Sequence, residues 1–221
     1  EKELQDYQLI EDTDSGKPRR KYLKKGYLHF DPKYWLPERY SELKRFLSSS
    51  ENVTKRAFYP FVKIITKTPR FRYDSEIGKR AVEFKKRPIC YASHFDVLIY
   101  SFYSFGLTQI YENYIKKVVI ENCVSAYRTD LNKCNIDFAR EAFNYINSKG
   151  ECTAIALDIK GFFNNLNHKI LKRNWLKVLE IDSLPNDQFK IYKSLTRFAY
   201  VNRNTILKFQ GINLKKLKKK P

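Results

Sequence analysis

Methionine is missing from all 221 residues. A natural translation start is therefore expected outside them, and the chain reads as a fragment. The chain ends inside a charge run, Leu214-Lys215-Lys216-Leu217-Lys218-Lys219-Lys220-Pro221, which fits the same expectation. No apolar run approaches the roughly 18 residues of a membrane-spanning helix, and no signal peptide is expected. Cysteine is scarce: Cys90, Cys123, Cys134 and Cys152 form no C-x-x-C pair and no metal-ligand spacing. This argues against a disulfide scaffold or a zinc ribbon, and the four are expected to be reduced, buried thiols of a cytoplasmic protein. Internal repeats are absent. Negative charge is also short, with 24 acidic against 43 basic residues and a formal charge of +19. That excess is out of place in a neutral metabolic enzyme and points to a polyanionic partner, bound in a salt-dependent way. A basic membrane-surface protein is the competing reading of the charge.

Apolar residues make up 43% of the chain, enough for a core. Sixteen Tyr and sixteen Phe interleave with Lys and Arg, a mixture that suits base stacking and backbone contact. Any single Phe is read first as core.

Residues 1–35 are charged and irregular, with a loop at Asp14–Arg20. A short helix is predicted over 36–48 from Leu36, Tyr40, Leu43 and Leu47, broken by Ser48-Ser49-Ser50. The apolar segment Ala57–Ile65 is expected to be helical. Residues 70–91 read as a β-hairpin: Arg70-Phe71-Arg72-Tyr73 alternates, Asp74–Gly78 supplies the turn, and Val82–Tyr91 returns. Two helices are expected next, jointed at Gly106, with Ser93 as N-cap of the first. Val124–Arg128 reads as a short strand or turn. Asn135 is expected to cap a helix burying Ala139, Ala142, Phe143 and Ile146. A strand is predicted over 152–158. A helix opened by Asn167 is expected to bury Ile170, Leu171, Trp175, Val178 and Leu179, and another runs from Asn186 to about Ala199. This order gives an α+β fold class.

The run Ala154-Ile155-Ala156-Leu157-Asp158-Ile159-Lys160-Gly161-Phe162-Phe163-Asn164-Asn165-Leu166-Asn167-His168 is the most informative stretch. It reads as a buried strand ending on one carboxylate, then an aromatic turn and a helix. An Asp at the exit of an apolar strand serves as a metal ligand on an active-site floor, or simply caps a turn. The residues alone leave both open.

This run resembles the first catalytic motif of reverse transcriptases, Asp-Ile-Lys-x-Phe-Phe-Asp-x-Ile-x-His. Asp158, Ile159, Lys160, Phe162, Phe163 and His168 fit, Leu166 is conservative, and Asn164 departs. Arg87-Pro88-Ile89 through Ile115 resembles the first fingers motif. Within it, Asp96, Ile99-Tyr100-Ser101, Tyr103, Leu107 and Tyr111-Glu112 are similar to the bacterial defence-associated (abortive-infection-like) group. Ser125-Ala126-Tyr127-Arg128 with Asn135-Ile136-Asp137-Phe138-Ala139 resembles the second motif. Leu184-Pro185, Phe189, Thr196-Arg197-Phe198 and Val201 continue the likeness, which spans roughly residues 70–201.

The resemblance implies fingers at 67–150, the start of an incomplete palm at 151–221, and a mostly helical extension at 1–66. It implies an RNA-directed DNA polymerase acting in antiphage defence. The partners would be an RNA template, deoxynucleoside triphosphates and a DNA product. A non-coding RNA is a further candidate by the same analogy, and a homo-oligomer is left open. Phosphoryl transfer in this family uses two Mg²⁺ ions held by hard oxygen ligands. Asp158 and the Ile159 carbonyl would be ligands, and the rest would come from a Tyr-x-Asp-Asp hairpin. No Asp-Asp pair exists in this chain, so alone it is expected to be inactive. Phe163 is the position for a ring that excludes a 2′-hydroxyl; core packing is the alternative, and Phe162 is the stronger core candidate. Arg128 is a candidate for the incoming triphosphate, against a plain salt bridge. Arg87 and the hairpin lysines Lys85 and Lys86 could share that role or form a solvated hairpin. Lys160 is either a template contact or a turn residue. Asp96 and Glu112 read as capping or ion-pair residues, and His94 and His168, without metal-like spacing, as structural. A non-catalytic RNA-binding module and a template-independent nucleotidyltransferase are the alternative functions.

Overall fold

A computed structural model describes residues 10–11, 18–19, 27–74, 78–128, 130–159 and 161–212. The described chain is mixed α+β. Strands β1 (Ile10–Glu11) and β2 (Pro18–Arg19) pair antiparallel. Helices α1 (Leu36–Leu47) and α2 (Ser50–Lys55) precede two long strands, β3 (Phe61–Asp74) and β4 (Lys79–Tyr91). Helix α3 (His94–Lys117) follows, then α4 (Asn135–Ser148) and α5 (His168–Leu179). Helix α6 (Asn186–Thr196), strand β5 (Tyr200–Asn202) and helix α7 (Arg203–Phe209) complete the order. The chain forms two compact units. One runs to Ser101 and resumes at Asn186; the other is Phe102–Pro185.

In the first unit the sheet order is β4-β3-β5. Strands β3 and β4 form the expected hairpin, in register from Val62↔Tyr91 to Asp74↔Lys79. It is longer than the sequence suggested. Ala57–Ile65, expected to be helical, turns into strand at Phe61. A short apolar run does not distinguish helix from strand by periodicity. Here the β-branched residues Val62, Ile64, Ile65 and Thr66 favour the pleat, and β4 receives their ladder bonds, with β5 on the other side of Phe61–Lys63. Strand β5 pairs parallel with the first three residues of β3, Phe61↔Tyr200 to Lys63↔Asn202. Beyond Lys63 the hairpin is a two-stranded ribbon. That is where its prolines stand, in pairs of the same parity (Ile65↔Pro88, Pro69↔Phe84). A proline lacks the N–H of a ladder bond and is tolerated where that N–H would point off the edge.

The core of this unit packs Tyr34, Leu36, Leu43 and Leu98, flanked by Tyr40, Leu47 and Phe95. Val53 on α2 and Ile191 on α6 are also fully buried. Ser93 caps α3 as expected, its Oγ accepting from the Asp96 N–H at 3.3 Å. Asp96 is buried as an ion pair with Arg56 (Nε to Oδ1, 2.7 Å), and its second oxygen accepts the Tyr59 N–H at 3.0 Å. Removing one partner of such a buried pair costs about 3–5 kcal/mol.

Helix α3 runs unbroken through Gly106, where a joint between two helices was expected. A single glycine lowers helix propensity by about 1 kcal/mol, too little to interrupt a helix of 24 residues.

The second unit departs further from the sequence expectations. Residues 152–159 lie in no strand, and Ile155, Leu157 and Ile159 are exposed, Leu157 at 92%. A strand needs a neighbour to receive its ladder bonds, and among the described residues this stretch has none. Helix α4 buries none of its residues, and Phe143 is exposed. On α5, Ile170 and Leu171 are exposed, while Trp175, Val178 and Leu179 are half-buried. Periodicity marks the face that favours cover; it does not supply the cover. Cys134, not Asn135, occupies the N-cap of α4, and its N–H donates to Asp137 Oδ2 at 2.9 Å. Asn167 does cap α5, accepting from the Lys169 and Ile170 N–H groups. All four cysteines are free thiols, and all four are exposed rather than buried.

Candidate functional site

Asp158 is exposed, one residue before the end of the strand-free stretch 152–159. Gly161 then takes a left-handed conformation, φ 68°. Its carbonyl accepts from the Asn164 and Asn165 N–H groups and from Asn165 Nδ2, winding Phe162–Asn165 into a 3₁₀ turn. A Cβ on Gly161 would stand 3.1 Å from Asn165 Nδ2, so both the backbone and the space call for glycine. The Ile159 carbonyl accepts the Phe162 N–H at 3.2 Å. Phe162 and Phe163 meet edge to face with centroids 5.3 Å apart, and Phe163 is 70% exposed. Lys160 lies outside the described residues.

One carboxylate and one carbonyl are too few donors for a two-metal centre. Among the described residues no group of three His, Cys, Asp or Glu side chains gathers at Asp158. The donor set present here does not fit a pair of Mg²⁺ ions.

Arg128 is engaged internally. Its Nε and Nη2 grip Asp130 bidentately at 2.8 and 2.6 Å, and Nη1 donates to the Glu121 and Val124 carbonyls. The side chain is 2% exposed. The hydrogen bonds from Arg128 hold the Asp130 carboxyl below its ordinary value, and Asp130 in turn raises the guanidinium. Lys116 stands 3.6 Å from the same carboxylate.

The hairpin gathers the exposed aromatics and cations. Side chains of paired residues share a face, and successive residues alternate. Odd residues of β3 and even residues of β4 therefore line one face: Ile65, Lys67, Phe71 and Tyr73 with Val82, Phe84 and Lys86. All seven are exposed. Lys67 stands directly opposite Lys86, an arrangement that costs stability unless an anion joins it. Lys85 and Arg87 lie on the other face, where Arg87 Nη1 donates to Thr68 Oγ1 at 3.1 Å.

No family model matches this chain, and no curated protein matches it. No helix among the described residues is long and apolar enough to cross a membrane.

A second constellation escaped the sequence reading. His29, Asp31 and His94 come together, each half-buried, with one ligand atom from each inside a 4.8 Å circle. Asp31 Oδ1 lies 3.5 Å from His29 Nδ1, and Oδ2 lies 2.9 Å from His94 Nδ1. The His94 backbone N–H also donates to Oδ2 at 2.8 Å. The imidazole centroids are 3.9 Å apart. Tyr91 packs on His29 at 5.1 Å, and its hydroxyl donates to the Leu28 carbonyl. Burial, and then the neighbouring His94, lower the His29 pKa from its ordinary 6.5, against the opposing pull of Asp31. The sequence signal was only His29-x-Asp31, and the third member is 63 residues further on.

Proposed function

We propose that this chain forms the fingers and the first part of the palm of an RNA-directed DNA polymerase of the bacterial defence-associated kind. The observation that carries this reading is the ordered likeness of Asp158–His168 and its flanking segments to reverse-transcriptase motifs. The hairpin supports it on physical grounds. Phe71, Tyr73 and Phe84 offer stacking surfaces beside Lys67 and Lys86, the combination that holds a single strand with little sequence preference. In this reading the template strand lies along that face, and Lys85 and Arg87 draw phosphates to the other. Asp158 contributes one carboxylate. The two Mg²⁺ ions enter through the resemblance alone, and their remaining ligands have to come from residues outside these 221. Phe163 lies under the sugar of the incoming deoxynucleotide. Arg128 reaches its triphosphate only by exchanging Asp130 for phosphate oxygens. The antiphage role, a non-coding RNA partner, the cytoplasmic setting and self-association rest on family analogy.

The test is to read the encoding gene past Pro221 and assay its whole product on a primed RNA template with Mg²⁺. Expected are DNA synthesis copied from the template, its loss in Asp158→Ala, and raised ribonucleotide incorporation in Phe163→Val. Synthesis that survives Asp158→Ala overturns the assignment. Products unrelated to the template would make it a template-independent nucleotidyltransferase. The missing Asp-Asp pair favours one second reading, a non-catalytic RNA-binding module. RNA binding without synthesis by the whole product selects it.

A further inference from the structure

We infer that His29, Asp31 and His94 form a binding site for a divalent transition cation, Zn²⁺ by ligand class, that clips the segment around residues 27–31 to the start of α3. This inference is independent of the polymerase reading. Imidazole and carboxylate donors together suit Zn²⁺. The geometry is close to what the ion requires. Ligands of a tetrahedral Zn²⁺ at about 2.0–2.1 Å stand about 3.3 Å from one another. The two nitrogen-to-oxygen separations here, 3.5 Å to Oδ1 and 2.9 Å to Oδ2, bracket that edge, one at each oxygen of the carboxylate, and one donor atom from each of the three residues lies within 4.8 Å of the other two. Both Nδ1 atoms converge on the Asp31 carboxylate, so both present a lone pair inward once their protons sit on Nε2.

The support around the ligands is built. The His94 N–H fixes the carboxylate, the kind of outer contact that orients metal ligands. Tyr91 walls the site on the His29 side and is anchored at both ends, stacked on Tyr27 at 4.8 Å and hydrogen-bonded to the Leu28 carbonyl. Three protein ligands leave a fourth position for water. The ion joins residues 63 apart, so its binding energy adds to folding energy. It would fix the point where β4 passes into α3.

The test uses the full chain, stripped with a chelator and titrated with Zn²⁺ against a chromophoric competitor. Expected is one equivalent per chain, with a melting temperature that rises with free Zn²⁺. His29→Gln and Asp31→Asn, each checked for native circular dichroism, should each weaken binding by more than the roughly 10–100-fold that loss of a supporting contact costs. Each should also abolish the thermal shift. Co²⁺ in place of Zn²⁺ should give the visible bands of a nitrogen–oxygen site without a thiolate charge-transfer band. Three outcomes overturn the site: no stoichiometric binding, binding unchanged in both variants, or a thiolate band that moves the ion to a cysteine. In the first case the cluster is a hydrogen-bonded His–Asp contact and nothing more.

Discussion

Arg128 shows how one residue type can satisfy two descriptions. A guanidinium in a loop can hold a triphosphate or a neighbouring carboxylate, and the sequence Arg128-Thr129-Asp130 favours neither. In the structure Asp130 and two carbonyls engage it on three sides. The pairing has a pH signature whose sign is fixed. The carboxyl of Asp130 is held below its ordinary 3.8. A depressed carboxylate stabilises the fold above its unfolded pKa, and that contribution is lost as the pH falls through the folded value. Asp130→Asn should therefore melt earlier than the natural chain near neutral pH, and the two melting curves should converge below 3.8. A gap of constant width across the acid range would mean that the ion pair contributes nothing.

At the scale of elements, Gly106 is the clearest case of local signal against tertiary outcome. Glycine suggested a joint, yet α3 passes through it. Nothing lies within 4 Å of where a Cβ would stand there, and its φ is not in the left-handed region. Alanine adds helix propensity and removes unfolded-state entropy without a clash. Gly106→Ala should stabilise the chain by about 0.4–1 kcal/mol in denaturant unfolding. Destabilisation instead would show that the helix bends or opens at this point. The same contrast separates the elements that were legible from those that were not. The Ser93 cap and the Asn167 cap rest on local chemistry, and the residues that make them are close in sequence; residues 75–77 of the expected hairpin turn lie outside the described residues. The strand expected at 152–158 needed a partner strand, and the entry of β3 at Phe61 depended on β5, over 130 residues away in sequence. Neither fact is local. The His29–Asp31–His94 cluster failed to show for the same reason.

At the scale of the whole molecule, the +19 charge and the hairpin face make a joint claim that composition alone cannot make. Charge predicts only that some polyanion binds. The face with Lys67 opposite Lys86 and Phe71, Tyr73 and Phe84 exposed beside them predicts which residues carry the salt dependence and which do not. For single-stranded RNA, each neutralised phosphate contributes about −0.7 to the slope of log Kobs against log salt. Lys67→Ala with Lys86→Ala should therefore flatten that slope by about 1.4. Phe71→Ala with Phe84→Ala should leave the slope in place while weakening binding by about 1–3 kcal/mol for each stacked base lost. Fluorescence anisotropy with a labelled oligonucleotide over a salt series separates the two effects. If the lysine pair can be removed with no change in slope, the strand binds elsewhere on this basic surface, and the hairpin is not its platform.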